Sequence, residues 1–296
     1  MILPLRHSYY EATARQRVEA LFGPAFRELC GPGEGPCSPH LKDFKIPVEF
    51  DDGVVVGEVE LDGALYCVIA QEGRFMGGAF GEVHSAKIRG LLRRAVAKRA
   101  QAVFFLLDSG GVRLQEANAG EIGVAEVIRC LLDARAASVP VVGAVGGVCG
   151  CFGGAGIISC CCDALVASEP ARIGVSGPEV IETTMGVEEF DSRDRALVWR
   201  TCGAKNRRLL GLVAELVEDD MDAFREALLR QAKRPRPLGL DAVVEELAAL
   251  DDRWRRYGTM PDATDIWRAM GFDNPEDIPA MNSTEFELLA KERYHE

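Results

Sequence analysis

Two short apolar runs, Val103–Leu107 and Val139–Val145, constrain this chain more than any other stretch, because each ends at glycine. The first runs into Asp108-Ser109-Gly110-Gly111. The second runs into Gly146-Gly147 and soon reaches Gly153-Gly154. Short, branched and glycine-bounded, each run reads as a buried strand, and a helical pattern follows each. Glycines at the mouth of a strand-to-helix turn let backbone N–H groups approach a ligand, and the helix N-terminus adds partial positive charge. Two such turns side by side make a hole for an oxyanion.

The flanking sequence extends this α/β pattern. Tyr9–Leu29 reads as amphipathic helix and 31–39 as a Gly/Pro-rich connector. Val48–Val59 alternates and contains Asp51-Asp52-Gly53, a hairpin signal; Asp62-Gly63 predicts a second hairpin, with Leu65–Ala70 as its return strand. A glycine loop, Phe75–Gly81, precedes a basic helix running to about Ala100. Asp163–Ala167 and Arg172–Ser176 read as further strands, with Gly177-Pro178 opening a helix. Phe190–Thr201, Leu209–Glu218 and Met221–Ala232 read as helical. A basic linker, 233–237, then leads to helical patterns at Leu240–Tyr257, Asp262–Ala269 and Ser283–Tyr294. The expected organisation is an N-terminal helix and connector (1–47), a main α/β domain (48–232) and a helical C-terminal tail (233–296).

Composition narrows the function. A net charge of −12 argues against a general nucleic-acid surface. Arg6, His7 and Glu11 come too early for a secretory leader. The uncharged stretch Ala136–Cys162 is long enough for a membrane span, but its glycines and Pro140 fit a strand, turn and buried helix better. The 10 cysteines include no Cys-x-x-Cys pair, so they read as reduced thiols of a cytoplasmic protein, with no metal site.

Side-chain chemistry is sparse. Of the four histidines, His7, His40, His84 and His295, only His84 lies near a glycine loop. Ser109 follows a strand without a nucleophile elbow, and neither a dinucleotide fingerprint nor a Walker loop is present. The charges of the basic helix read as a solvated face or as an anion-binding rim; Lys87 is the candidate for a phosphate contact. What remains is a site built from backbone amides. Such a site suits formation of an enolate from a thioester: two N–H donors stabilise the developing oxyanion, and if the enolate arises by loss of CO2 no strong base is required.

At these residues the sequence resembles a known family. Asp108–Glu116 (DSGGVRLQE), Phe75–Gly81 followed by Lys87-Ile88, and Ile173–Glu182 resemble acyl-CoA carboxyltransferase β subunits. Val139–Val145, Phe152–Ala155 and Asp163 are similar to the wider crotonase/ClpP superfamily. Tyr9–Ala12, Ser38–Leu41, Asp51–Val56 and Gly81–Lys87 resemble, more narrowly, the β subunits of malonate decarboxylases. The resemblance implies a crotonase/ClpP-like spiral of ββα units across the main domain. It implies decarboxylation of a malonyl thioester, borne on the CoA-derived arm of an acyl-carrier protein, to the acetyl thioester. No cofactor is expected on this chain itself. The implied partners are a γ-type carboxyltransferase subunit that completes the active site, the carrier protein and a carrier-protein transferase subunit. The amides of Gly110, Gly111, Gly153 and Gly154 match the oxyanion turns, and Gly77, Gly78, Lys87, Gly147 and Gly177 are the expected substrate contacts. Cys30 and Cys37 cannot supply the four-cysteine zinc ribbon of bacterial acetyl-CoA carboxylase β subunits. A biotin-dependent carboxyltransferase subunit and a noncatalytic scaffold are the alternatives.

Overall fold

The computed structural model describes residues 8–236 and 238–294, with 293 and 294 by their backbone alone. Arg6, His7, Pro237 and His295, weighed above, lie outside the described residues.

A seven-stranded sheet runs in chain order: β1 (Arg27–Leu29), β2 (Val54–Leu61), β3 (Ala64–Gln71), β4 (Ala102–Leu107), β5 (Val141–Val145), β6 (Ala164–Ser168) and β7 (Glu215–Val217). The first three strands pair antiparallel and the rest parallel. The β2–β3 hairpin forms at Asp62-Gly63, both with positive φ (50° and 78°), the conformation of a tight primed turn. Parallel neighbours need crossovers, supplied by α2 (Glu82–Lys98), α3 (Asn118–Ala136) and α4 (Gly154–Cys161). After the parallel strands the chain makes isolated bridges, Phe80 to Val112, Ser109 to Cys151 and Cys151 to Ile173. These stitch the turns into a narrow second ribbon across the strand ends, as a spiral of ββα units requires.

The core lies on both faces of the sheet, sorted by the two-residue period of a strand. Val103, Phe105 and Leu107 face one cluster with Leu91, Val127 and Ile158 from α2, α3 and α4. Phe104 and Leu106 face the other, with Val18 and Leu21 from α1 (Ala14–Phe22) and Phe224 and Leu228 from α8 (Met221–Gln231). Beyond β6 come α5 (Pro178–Met185), α6 (Arg195–Cys202) and α7 (Ala204–Leu209). The C-terminal segment is not uniform. In α9 (Leu240–Tyr257) no residue is buried. Trp267 of α10 (Ala263–Ala269) and Phe286 of α11 (Ser283–Tyr294) join the core.

Four local expectations are overturned. The helical pattern to Leu29 ends at Phe22, and Arg27–Leu29 instead forms the edge strand beside β2. The turn at Asp51–Gly53 has no strand before it, because the outer partner of β2 is the distant β1. Leu209–Glu218 is not a helix: α7 stops at Leu209, and 215–217 pairs with β6. Arg172–Ser176 makes only single bridges.

Candidate active site

The turns after β4 and β5 lie against each other. Ser109 N–H donates to Gly150 O at 2.8 Å, and Phe152 N–H donates to Ser109 O at 2.9 Å. A Cβ placed on Gly153 would stand 3.0 Å from Gly111 Cα, so the two glycine turns meet backbone to backbone. The loop before α2 closes on them from another side. Gly110 N–H donates to Gly77 O at 2.8 Å, and Phe80 N–H donates to Gly111 O at 2.8 Å. Gly78 sits at φ +64° with room for nothing more than hydrogen: a Cβ there would lie 1.8 Å from Asp108 O. From the remaining side, Gly174 N–H donates to Cys151 O at 3.1 Å, and a Cβ on Gly177 would come within 4.0 Å of the Phe152 ring. Gly77, Gly78, Gly110, Gly111, Gly147, Gly153, Gly154 and Gly177 therefore belong to one loop cluster at the carboxyl ends of the parallel strands. Gly110 is exposed, and Gly153 and Gly177 are half-exposed.

Hydrogen bonding separates the candidate amides. Gly110 N–H is spent on Gly77 O, and Gly153 N–H is spent on Val175 O at 2.9 Å. Both are corrected from oxyanion donors to scaffold bonds. Gly111 N–H has only Ser109 Oγ at 3.2 Å. Gly154 N–H, at the first position of α4, has no acceptor among the described residues. An amide in the first turn of a helix has no acceptor within that helix, so this N–H is open to a ligand. It also stands where the helix dipole favours negative charge.

Lys87 is also corrected. It is buried, and its Nζ donates to Asp51 O at 2.6 Å and to Val54 O. Burial pushes its ammonium below the ordinary lysine range. The ion ties the chain entering β2 to α2 and does not reach the rim.

Beneath the loops lies a charged frame that the glycine motifs did not announce. Asp108 is buried; its carboxylate accepts from Arg17 Nη1 at 2.9 Å and from Cys149 N–H at 2.8 Å. Gly147 leaves room for it, since a Cβ there would fall 2.1 Å from the carboxyl carbon. Arg17 reaches it from α1, held by Tyr9 O at 3.0 Å. Burial pushes the Asp108 carboxyl up while the Arg17 guanidinium pulls it down. Arg113 Nη1 donates to Asp52 Oδ2 at 2.7 Å and to Glu116 Oε1 at 3.0 Å. Glu116 Oε2 accepts the Glu82 N–H at 2.6 Å and so caps the start of α2. His84 is fully buried, its Nδ1 facing Asp52 O at 3.1 Å and its Nε2 facing Gln71 Nε2 at 3.1 Å. Those partners assign the proton to Nδ1. Burial, then the Arg113 charge, holds the imidazole well below its ordinary pKa, so His84 is neutral frame and not an acid.

No side chain beside the loops offers a nucleophile. Burial pushes the Cys149 and Cys151 thiols up to about 11 and about 12. Ser109 is buried, its hydroxyl turned to Gly111 O at 3.3 Å. The one sequence signal for the frame was a charged residue, Arg17, on an otherwise apolar helix face beside Val18 and Leu21. The arrangement can stabilise an oxyanion through main-chain nitrogens and has nothing poised for covalent attack.

Comparison with known proteins agrees with that chemistry. The carboxyl transferase domain model matches residues 7–262. The chain is 35% identical to the malonyl-S-ACP:biotin-protein carboxyltransferase of Malonomonas rubra, over 96% of each protein. It is 27% identical to the acetyl-coenzyme A carboxylase carboxyl transferase subunit β of Fusobacterium nucleatum, over 71% of this chain and 73% of that one. Among solved structures, it is similar to a chain of a Pseudomonas malonate decarboxylase hetero-tetramer in complex with malonate, with TM-score 0.81 and 37% identity over 90% of this chain and 98% of that one. A chain of the Pseudomonas malonate decarboxylase hetero-dimer matches with TM-score 0.67 and 35% identity, over 87% and 99%. The sheet order, the ribbon of turns and the amide-built loop cluster are those of a crotonase-like fold, and the chain belongs to the carboxyl transferase domain family.

Proposed function

We propose that this chain is the β-type subunit of a malonate decarboxylase, acting on a malonyl thioester carried by an acyl-carrier protein. The single observation that carries the reading is the near end-to-end match to a chain of the malonate-bound Pseudomonas decarboxylase. The unpartnered Gly154 amide is consistent with it.

The thioester carbonyl would lie at the start of α4, accepting from Gly154 N–H and, as Ser109 Oγ lets go, from Gly111 N–H. With the C–CO2 bond held perpendicular to the carbonyl plane, its electron pair passes into the enolate as CO2 departs, and the negative charge arrives on the oxygen facing those donors. A proton delivered from water to the carbanion completes the acetyl thioester. Stripping water from the carboxylate would require a partner subunit to close over these loops. Leu114, just after the Gly111 turn, is 87% exposed, and Val175, Val180 and Met185, near Gly177 in sequence, are exposed too. A hydrophobic rim beside the site is the expected seat of a γ-type partner, which would complete the cavity. A carrier protein and its transferase subunit complete the proposed assembly, and the proposed compartment is the cytoplasm.

One observation favours a second reading. The Malonomonas rubra relative is named for transfer to a biotin protein, which would use the same amides to pass CO2 on instead of releasing it. Mass analysis of a malonyl-loaded carrier protein, incubated with the reconstituted complex with and without avidin, tests both. Loss of CO2 indifferent to avidin supports direct decarboxylation. Inhibition by avidin supports the biotin reading. An unchanged malonyl carrier overturns both.

A further inference from the structure

Helix α9 carries an apolar stripe that the rest of the chain does not cover. Leu240, Val243, Val244, Leu247, Leu250 and Trp254 are all exposed, from 46% at Val243 to 79% at Leu240. Arg253 of this helix donates to Leu210 O of the body. A solvent-facing surface helix places such residues inward; here they point out along its full length.

The spacing is that of a helix-pairing seam. Positions 240, 243, 247, 250, 254 and 257 alternate steps of three and four, the 3.5-residue repeat of a coiled coil, with Leu, Val, Leu, Leu, Trp and Tyr in them. The charges select what can pair with it. Asp241, Glu245, Glu246, Asp251 and Asp252 make the first two-thirds acidic, and Arg253, Arg255 and Arg256 make the end basic. A parallel copy would set Glu246 against Asp251, acid on acid. An antiparallel copy centred between Ala248 and Ala249 does the opposite. It layers Leu240 on Tyr257, Val243 on Trp254 and Leu247 on Leu250, sets Glu246 beside Arg253, and repeats every contact through a two-fold axis.

We propose that α9 docks antiparallel on α9 of a second copy of this chain, forming an isologous dimer. The exposed stripe offers on the order of 600 Å² per copy, somewhat below the ~800 Å² per partner of a standard interface, which fits a modest, concentration-dependent affinity. The same contact would join two copies of a hetero-oligomeric complex back to back.

Sedimentation of the full chain across a concentration series tests this, followed by the mass of the reconstituted complex. The expected result is a monomer–dimer equilibrium. Leu247→Glu, on an exposed surface, should weaken it at least tenfold with an unchanged circular dichroism spectrum. Val244 would face Asp251 of the second copy, so Val244→Lys should tighten the dimer several-fold and Val244→Asp should loosen it. A chain that stays monomeric throughout, a dimer indifferent to Leu247→Glu, or equal effects of Val244→Lys and Val244→Asp would each overturn the proposal. So would Leu247→Glu impairing only the binding of a different subunit.

Discussion

Replacing Arg17 with methionine tests whether the buried frame, and not the glycines alone, holds the site loops in place. Arg17 and Asp108 side chains are 1% and 4% exposed, and the carboxylate would keep only the Cys149 N–H after the change. Breaking a buried pair from one side strands a charge and costs about 3–5 kcal/mol. The cost should depend on pH with a definite sign. Burial already raises the Asp108 carboxyl, and without Arg17 it rises further, so the folded state takes up a proton that the unfolded state releases. Lowering the pH from about 8 to 5 should therefore return part of the lost stability to the variant, because protonation of Asp108 then favours the folded state. Adding Asp108→Asn, which removes the stranded charge and keeps an acceptor for Cys149 N–H, should recover at least half of the loss at pH 8. Urea unfolding followed by circular dichroism at both pH values measures all three. A cost below about 1 kcal/mol that does not change with pH would refute the reasoning.

The other substitutions separate neighbouring roles. Gly77 and Gly78 have φ near +65°, but a Cβ on Gly77 meets nothing within 4 Å, whereas one on Gly78 strikes Asp108 O. Gly77→Ala should therefore cost only the ~1–2 kcal/mol of left-handed backbone, and Gly78→Ala clearly more, in the same unfolding assay. Glu58 is buried between Arg94, Lys98 and Arg27, and these hold its carboxyl down to about 2 from an ordinary 4.5. A depressed carboxyl stabilises above its unfolded pKa and loses that contribution as pH falls toward 2. Because its cationic partners are partly solvated, the stability gap between the parent and Glu58→Gln should be about 1–2 kcal/mol at pH 7 and shrink toward zero by pH 2–3. Lys87→Met leaves two buried carbonyls short of a donor and should cost about 1–3 kcal/mol while leaving KM for the carrier thioester unchanged in the complex. A raised KM with unchanged stability would restore Lys87 to the rim.

What the sequence showed was what local chemistry decides. Residues 103–107, and 141–145 of the second run, became strands because branched apolar residues bounded by glycine have little alternative, and Asp62-Gly63 turned as its backbone preference dictates. The misread pieces depend on remote partners. Asp52-Gly53 has the same positive φ values as a hairpin turn, but the strand that flanks β2 comes from 27–29. Likewise, 215–217 is extended because β6 offers an open edge. The site divided along the same line. Glycine pairs are visible as letters; whether an amide is free depends on what lies across from it. Gly77 O and Val175 O accept hydrogen bonds from the Gly110 and Gly153 N–H groups, Gly154 N–H has no such acceptor among the described residues, and no spacing rule foretold which. The Arg17–Asp108 pair spans a long stretch of chain and was invisible for the same reason.

The central claim is that a main-chain nitrogen at the start of α4 stabilises the enolate. The most direct measurement compares kcat of complexes carrying Gly154→Pro and Gly154→Ala. Both place a Cβ against Val124, where it would fall 2.8 Å from the side chain, and proline is tolerated at a first helical position; circular dichroism and recovery of the intact complex check that the larger ring has not cost the fold. Only proline removes the N–H. The expected result is a further drop in kcat of about 10²–10³-fold for proline relative to alanine, with the complex intact. Equal rates in the two complexes would contradict the claim.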